Sequence, residues 1–481
     1  MALVLGLLHL LLAPDSGTDL SAQLARASFA REAPLTPVDL SWYSGVHPYG
    51  YSLLAPWVMA VLGVAVSGLV AAVAASVLYA RLVRDSERPL LAALAGAVFA
   101  VADVVSGRTT FALGAVAALA ALVLLPRLRS AAVFAVLAAL LSPVAAAFLG
   151  FAGAVLLLHR RPGGWTLGVG SSVPVIVLAV LFPGGGIQPL SGDSALPAVV
   201  VALLLAVLTS SPLVRTGALL YAAAVVFFAN ADDPFGSNVL RLGLLVAASL
   251  LLATSRRRGL VVLAATVGFV LWQVDPTRAD LNARPGPALS ALTAELVRLH
   301  SDRAEVVAAR DHRESSQVAE RVPLARGWSR QLDVHDNPLF YKGTLTPTAF
   351  RAWLLEHSVD TVAVPRRAVL DFGGSREGAL LRRGPVPGLE QVWSDLDWTV
   401  FRVTAARPLA AAPTVVVSSG RTSLVLRSGV AADVRVDVRW SRWLSLTGPG
   451  CLERDGDRTL VRFAHAGTVT LGSGLLPRGH C

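Results

Sequence analysis

Residues 61–88 read VLGVAVSGLVAAVAASVLYARLVRDSER. Positions 61–80 carry no charge, and Arg81, Arg84 and Arg88 follow at once. An apolar run of about 20 residues is what a helix needs to cross a bilayer. An arginine-rich flank is what holds one end of such a helix on the cytoplasmic side. The same alternation recurs up to residue 274. Apolar runs at 113–125, 199–208 and 261–272 alternate with basic clusters at 127–129, 159–161 and 256–258. From Asp275 onward polar and apolar residues mix as in a soluble domain. The expected fold class is therefore an α-helical polytopic membrane domain followed by an extramembrane domain.

The whole composition agrees. The chain has 481 residues, 54% of them hydrophobic, and a mean hydropathy of +0.60. Eleven apolar segments are expected as spans: 1–13, 52–80, 89–105, 109–126, 130–143, 145–159, 165–182, 195–210, 212–230, 238–255 and 259–274. Several are short, and Pro143, Pro174, Pro197 and Pro212 interrupt or bound others. Broken helices are tolerated in lipid where protein or a cavity satisfies the freed backbone groups, so a bundle with an internal cleft is expected. With the N-terminus in the cytoplasm, Arg81, Arg84, Arg88, Arg127, Arg129, Arg160, Arg161, Arg215, Arg256, Arg257 and Arg258 share one side. Arg26, Arg31, Arg108 and Arg241 fall on the other. The positive-inside rule makes the first side cytoplasmic, and an odd number of spans puts the C-terminal domain outside. The stretch 1–13 lacks a basic leader region and reads either as a signal-anchor whose start lies upstream, the favoured reading, or as a short first helix.

The net charge of +10 is accounted for by these topology determinants and a solvated exterior face. No nucleic-acid partner is expected. Lys342 is the only lysine, a bias of GC-rich genomes such as those of actinobacteria.

The domain reading is 1–274 for the membrane domain, with a polar exterior loop at 14–51, then 275–410 as α/β and 411–481 as a small β-sandwich. Within the loop, Ser21–Arg31 has helical spacing. Residues 275–286 read as a linker. Pro287–Leu299 is periodic as a helix, Glu305–Ala308 is a candidate strand, and Pro347–Glu356 is a helix with Thr346 as N-cap. Asp360–Val364 reads as a buried strand and Trp398–Thr404 as β-rich. Alternation broken by Gly and Asp after residue 412 gives the sandwich. Cys451 and Cys481 are the only cysteines. Outside the cytoplasm they are either a disulfide or two free thiols.

No P-loop and no HExxH zinc motif is present. The glycine-rich GGWTLGVG at 163–170 heads a membrane span and suits helix packing. The loop string PVDLSWYSGVHPYGYS (37–52) is more specific. It places Asp39, His47 and four aromatics (Trp42, Tyr43, Tyr49 and Tyr51) where the loop re-enters the membrane. A carboxylate there can serve as general base toward a hydroxyl within about 3 Å. The plainer reading is that Asp39 caps a turn, His47 packs under the aromatics, and the aromatics form an interfacial belt. A second dense stretch, PLARGWSRQLDVHDNPLFY (323–341), interleaves Trp328, Phe340 and Tyr341 with Arg326, Arg330 and Asp333. Such a mixture suits sugar binding, with ring faces stacking and polar edges paired, or a loop that seals the domain onto the membrane. His312 and Glu314, just upstream, fit either arrangement.

A large exterior loop carrying an acid, many short spans and an exterior α/β-plus-β domain together resemble the GT-C superfamily of integral-membrane glycosyltransferases. The stretch from Trp42 through Gly45, Pro48 and Gly50 is also similar to bacterial membrane proteins labelled 6-pyruvoyl-tetrahydropterin synthase-related. The resemblance implies transfer of a sugar from a polyprenyl-phosphate donor to an envelope acceptor at the outer face of the plasma membrane. Membrane lipids and the lipid-linked sugar are the partners it implies. Asp39 is the position to which the catalytic base carries over. Asp103, Asp232 or Asp233 would orient the acceptor or hold a divalent cation, and Arg241 or Arg108 would neutralise the leaving phosphate. Many family members show a pair of acids in this loop. Here Asp39 stands alone, with Asp15 and Asp19 some distance earlier. A transporter of the major-facilitator kind and a non-catalytic scaffold are the competing readings. The first would show internal repeats and midplane binding residues, and no repeat is visible.

Overall fold

A computed structural model describes residues 1–15, 17–257 and 259–481 of the chain. Arg258, one of the expected topology determinants, lies outside the described residues. The chain divides into two compact units. The first comprises Met1–Gln23 and Gly50–Ala283, and the second Leu24–Tyr49 and Arg284–Cys481. The division falls within the expected linker and assigns most of the 14–51 loop to the second unit.

The first unit is helical. Among the described residues, five helices are long and apolar enough to cross a membrane: Val64–Leu82, Gly164–Leu181, Pro212–Asn230, Gly236–Thr254 and Leu260–Leu281. Six shorter apolar helices accompany them: Ala2–Leu12, Pro89–Val105, Thr109–Val123, Leu128–Leu141, Pro143–Leu158 and Gly192–Leu208. These segments make it a membrane protein. Pro89, Pro143 and Pro212 each stand at the start of a helix, where the missing N–H has no partner to lose. Ser142 and Ser211 cap the latter two by accepting from Ala145 N and Val214 N. Pro174, Pro197 and Pro276 lie inside helices instead. The helix expected to end near residue 274 thus runs on to Leu281 across Pro276. The expected segment 52–80 is divided at Gly63, whose φ of 82° ends Ala55–Leu62 before Val64–Leu82 begins.

Small residues set the helix packing. Ala131, Ala135, Ala138 and Ala139 are fully buried on one helix. A Cβ on Gly153 would lie 2.8 Å from Gly164 O, so the glycines at this crossing let two helices approach closely. Gln273 joins the last two long helices: its Nε2 donates to Gly243 O and Leu244 O, and its Oε1 accepts from Ala248 N. Each polar atom of this buried amide has a partner, as the apolar surroundings require.

The second unit has three sheets. Strands β1 (Ala304–Val306), β2 (Thr361–Pro365), β3 (Leu389–Ser394) and β4 (Trp398–Val403) pair in the order β1-β2-β4-β3. β1 and β2 are parallel, and the other pairs are antiparallel. The helices Ser290–Arg298 and Pro347–Glu356 form as the periodicity predicts, the second capped by Thr346 accepting from Ala349 N. The remaining strands are β5 (Thr414–Ser419), β6 (Leu424–Ser428), β7 (Ala432–Arg439), β8 (Leu444–Thr447), β9 (Gly450–Asp455), β10 (Arg458–Phe463) and β11 (Gly467–Ser473). They form two antiparallel sheets, β7-β10-β9 and β5-β6-β11-β8. One core of alternating residues, including Leu426, Val436, Val461 and Leu471, is shared between them, the arrangement of a sandwich.

The 24–49 segment is built into these cores. Val38 and Leu40 join the sandwich core, and Ala25, Trp42 and Tyr43 join the core of the α/β part. Trp42 and Tyr43 are therefore core residues and not members of an interfacial belt. Trp42 Nε1 donates to Ser315 O, and Tyr43 Oη donates to Gly327 O. Gly327 is required because a Cβ there would collide with the Trp42 ring.

Cys451 and Cys481 are joined in this unit, with Cα atoms 5.1 Å apart. Closing a loop of 30 residues stabilises a fold by about 3 kcal/mol. Peptide mass spectrometry without reduction is expected to recover the linked pair, and Cys481→Ser is expected to lower the melting temperature. Two freely alkylated thiols in the wild type would refute the pairing.

Candidate functional site

In the helical unit two turns meet backbone to backbone. One is the Gly17–Asp19 turn ahead of the Leu20–Glu32 helix, and the other is the Ser106–Gly107 turn between Pro89–Val105 and Thr109–Val123. Gly17 has φ 106° and Gly107 has φ 78°. A Cβ on Gly17 would lie 2.6 Å from Gly107 N, and one on Gly107 would strike Leu20 N. Asp19 N donates to Ser106 O, and Thr110 Oγ1 donates to Gln23 Oε1.

This contact gathers four charged side chains. Arg241 Nη2 donates to Asp19 Oδ2 at 3.0 Å. Arg108 Nε lies 3.6 Å from the same oxygen, and Arg108 Nη1 lies 3.6 Å from Asp103 Oδ1. Arg241 also sits over the Phe111 ring, 5.7 Å from its centroid. Arg241 is therefore held by Asp19 and Phe111 and does not merely reach for an interface. Asp19 is the most open of the four at 26% exposure and Asp103 the least at 9%. Asp103 Oδ2 is buried and has no hydrogen-bond partner.

Asp103 also lines a cavity bounded by Ala75, Gly96, Ala100, Ala115 and Leu245, with Tyr79 as its other ionisable member. Tyr79 Oη is already committed to Ser249 Oγ at 2.8 Å. Charges within an apolar helical bundle are costly and mark function more often than stability. Two guanidiniums facing one carboxylate form a cradle that a phosphate, with its bidentate geometry, can take over. The carboxylate so released is free to accept a proton.

The other residues singled out in the sequence lie elsewhere. Asp232 is exposed. Asp233 Oδ1 accepts from Phe235 N and Gly236 N and so closes a turn. Asp39 and His47 belong to the second unit. Asp39 pairs through its backbone with Val46, and its Oδ1 accepts from Ser41 N at 2.9 Å and Ser41 Oγ at 2.6 Å. Its Oδ2 faces Arg421 Nε at 3.6 Å. Burial pushes the Asp39 carboxyl above its usual range, against the pull of Arg421 and Ser41. Asp39 is buried, at 6% exposure. His47 Nε2 lies 2.8 Å from Ser441 Oγ.

The 323–341 stretch folds into a buried charge network. Arg326 donates to Glu305 and Glu377 and faces Asp333. Asp333 is enclosed there, accepting from Tyr341 Oη and Asn337 Nδ2. Trp328 stacks on His312 with ring centroids 3.5 Å apart. Arg330 donates to Asp371 at 2.6 Å, and His312 lies between Asp371 and Glu314. Burial opposes charging His312, but hydrogen bonds to Asp371 and Glu314 outweigh it and raise its pKa to about 9. The same partners hold Asp371 well below the usual carboxylate range, although burial acts the other way.

Among the described residues, no group of three or more His, Cys, Asp or Glu side chains is placed to hold a metal ion. Asp19 and Asp103 face arginines, so their charge is already matched, and the donor set does not suit a divalent cation. The residue that sequence reading passed over is Asp19. The available signal was the pair of glycines, Gly17 and Gly107, flanking two acids and an arginine.

No family model and no curated protein matches the chain. Among solved structures, the cryo-EM structure of the arabinofuranosyltransferase AftD from Mycobacteria matches with 15% identity and a TM-score of 0.48. The match covers 98% of this chain and 57% of that one, so the chain spans little more than half the length of AftD.

Two outcomes follow for the second unit. Asp39→Ala removes one of the two carboxylates facing the buried Arg421 guanidinium, Glu32 remaining, and is expected to destabilise the unit, read as a lowered midpoint in thermal or chemical unfolding. His312 has a folded pKa above its ordinary 6.5. Its stabilisation is therefore full below pH 6.5 and is lost as pH rises through about 9. Melting temperatures between pH 7 and 10 should fall in the wild type, and the fall should be shallower in His312→Gln.

Proposed function

We propose that the chain is a GT-C-like glycosyltransferase of the bacterial plasma membrane. It would move a sugar from a polyprenyl-phosphate donor to an envelope acceptor at the outer face. The observation that carries this reading is the convergence of Arg108 and Arg241 on Asp19 at the helix ends of the membrane unit. In the resting site the carboxylate occupies both guanidiniums. A lipid phosphate entering the cradle takes them over and is held as the leaving group. Asp19 then accepts the proton of the acceptor hydroxyl as its oxygen attacks the anomeric carbon. The bond from that carbon to the phosphate oxygen breaks, and polyprenyl phosphate departs. Asp103, with its unpartnered Oδ2, orients the acceptor hydroxyl.

The arginine asymmetry supports about eleven spans with the N-terminus in the cytoplasm and residues 275–481 outside. The eleven apolar helices among the described residues are compatible with that count, the short ones requiring local thinning of the bilayer. Single cysteines at Ser86 and Ser375 in a Cys-free background test the orientation. Ser375→Cys should react with an impermeant reagent in intact cells and Ser86→Cys only after lysis. The reverse pattern would invert the assignment.

Activity is tested with purified protein and a panel of polyprenyl-phosphate sugars. Asp19→Asn keeps size but removes the base, and turnover should fall by about 10²–10⁴ with donor binding retained. Arg241→Ala should weaken donor binding instead. A wild-type rate in Asp19→Asn together with a lost rate in a folded Asp39→Asn would move the base to Asp39. Substrate transport into liposomes without sugar transfer would establish the transporter reading. Neither activity, with the fold intact, would establish the scaffold.

A further inference from the structure

The second unit carries a ladder of alternating rings and guanidiniums that no step of the transfer reaction uses. It starts inside with His312 stacked on Trp328. Arg330 follows, its guanidinium carbon 5.1 Å from the Trp328 centroid and 5.9 Å from that of Tyr341. Tyr341 stacks on Phe372 at 6.1 Å with the planes 25° apart. Arg376 closes the outer end over Phe372 at 5.8 Å and donates to Tyr341 O at 2.7 Å. The inner rungs are buried or half-buried, whereas Phe372 is 63% exposed.

This outer end is a built surface. Gly373 admits the Tyr341 ring, because a Cβ there would lie 2.7 Å from Tyr341 Oη. Tyr341 Oη is anchored on Asp333. Asp371 caps the Phe372–Arg383 helix by accepting from Gly373 N, and it fixes Arg330. The platform stands at the carboxyl ends of the parallel strands β1 and β2: Asp371 N donates to Ala308 O, and Arg310 N donates to Val369 O. Ligands of α/β sheets settle at that end.

The chemistry of the rim selects the ligand. The Phe372 ring, stacked on Tyr341 and largely exposed, offers apolar surface of the kind that covers the C–H face of a sugar. Around them stand exposed Arg376 and exposed Lys342, with Arg330 behind. The nearby acid, Asp371, is consumed by Arg330 and His312. The rim therefore presents donors and positive charge. We propose that Tyr341, Phe372, Arg330 and Arg376 form a binding platform for an anionic glycan chain, with the sugar ring on the aromatic face and its carboxylate on the guanidiniums. The site lies wholly within the second unit and holds a glycan without reacting with it. It requires no transfer chemistry and stands apart from the Asp19 reading.

The test uses full-length protein in neutral-lipid nanodiscs and oligogalacturonate as probe. Saturable binding is expected, with dextran oligosaccharides binding more weakly and polyglutamate not at all. Phe372→Ala and Arg376→Gln should each weaken binding roughly tenfold, a loss typical of removing one anchoring side chain. Asp19→Asn should bind like the wild type, so a failed transfer assay leaves this result standing. Absence of binding, binding unchanged in both Phe372→Ala and Arg376→Gln, or equal binding of polyglutamate or dextran would overturn the proposal. An apolar shift of Phe372→Trp fluorescence in anionic nanodiscs without glycan would overturn it as well, because it would make the platform a lipid-docking surface.

Discussion

The guanidinium of Arg421 is the interaction on which the second unit depends. It comes from the turn between β5 and β6, is almost wholly buried, and gathers partners from one sequence-distant segment. It donates to Ala25 O, Ser28 and Glu32, faces Asp39, and covers the Phe29 ring. The backbone of the same residue accepts from Leu40 N. A buried guanidinium needs its charge matched and acceptors for its N–H groups. Residues 24–49 supply two carboxylates and the acceptors for Nη1 and Nη2, and this ties the segment into the unit. The hydrophobic contribution runs alongside, since Val38 and Leu40 fill the sandwich core while Trp42 and Tyr43 fill the neighbouring one.

Asp39 is one of these partners. Its carboxylate faces the buried arginine and caps its own turn through Ser41. Its chemistry in isolation, an acid in an exterior loop beside an imidazole and aromatics, reads the same for a base and for a structural anchor. The difference lies in who stands opposite, and Arg421 is almost four hundred residues away in the chain.

In the helical unit Arg108 and Arg241 also face carboxylates. The group remains partly open at Asp19, and one oxygen of Asp103 is left without a partner beside a cavity. Charges in so apolar a setting are costly. The close approach of two glycine turns, with Gly17 against Gly107, makes the cluster possible.

Local pattern was enough to read the helical unit, the α/β order and the alternating strands of the sandwich. Hydrophobic period, Ser-Pro helix starts and the Thr346 cap are written within a few residues of the elements they define. Asp103, Arg108 and Arg241 were named through the family resemblance, Arg241 also standing out as a charge in an apolar run. Pattern erred where a residue has two meanings. The span expected to end at 274 before a linker continues as a helix through Pro276 to Leu281. Trp42 and Tyr43 read as interfacial, but they are core. The convergence of Arg108 and Arg241 on Asp19, the enclosure of Asp39 and the ring–guanidinium ladder through Phe372 came only from tertiary structure. Each depends on which charges and faces meet across long stretches of chain, and the energy of burying a charge is set by that meeting and not by the residue alone.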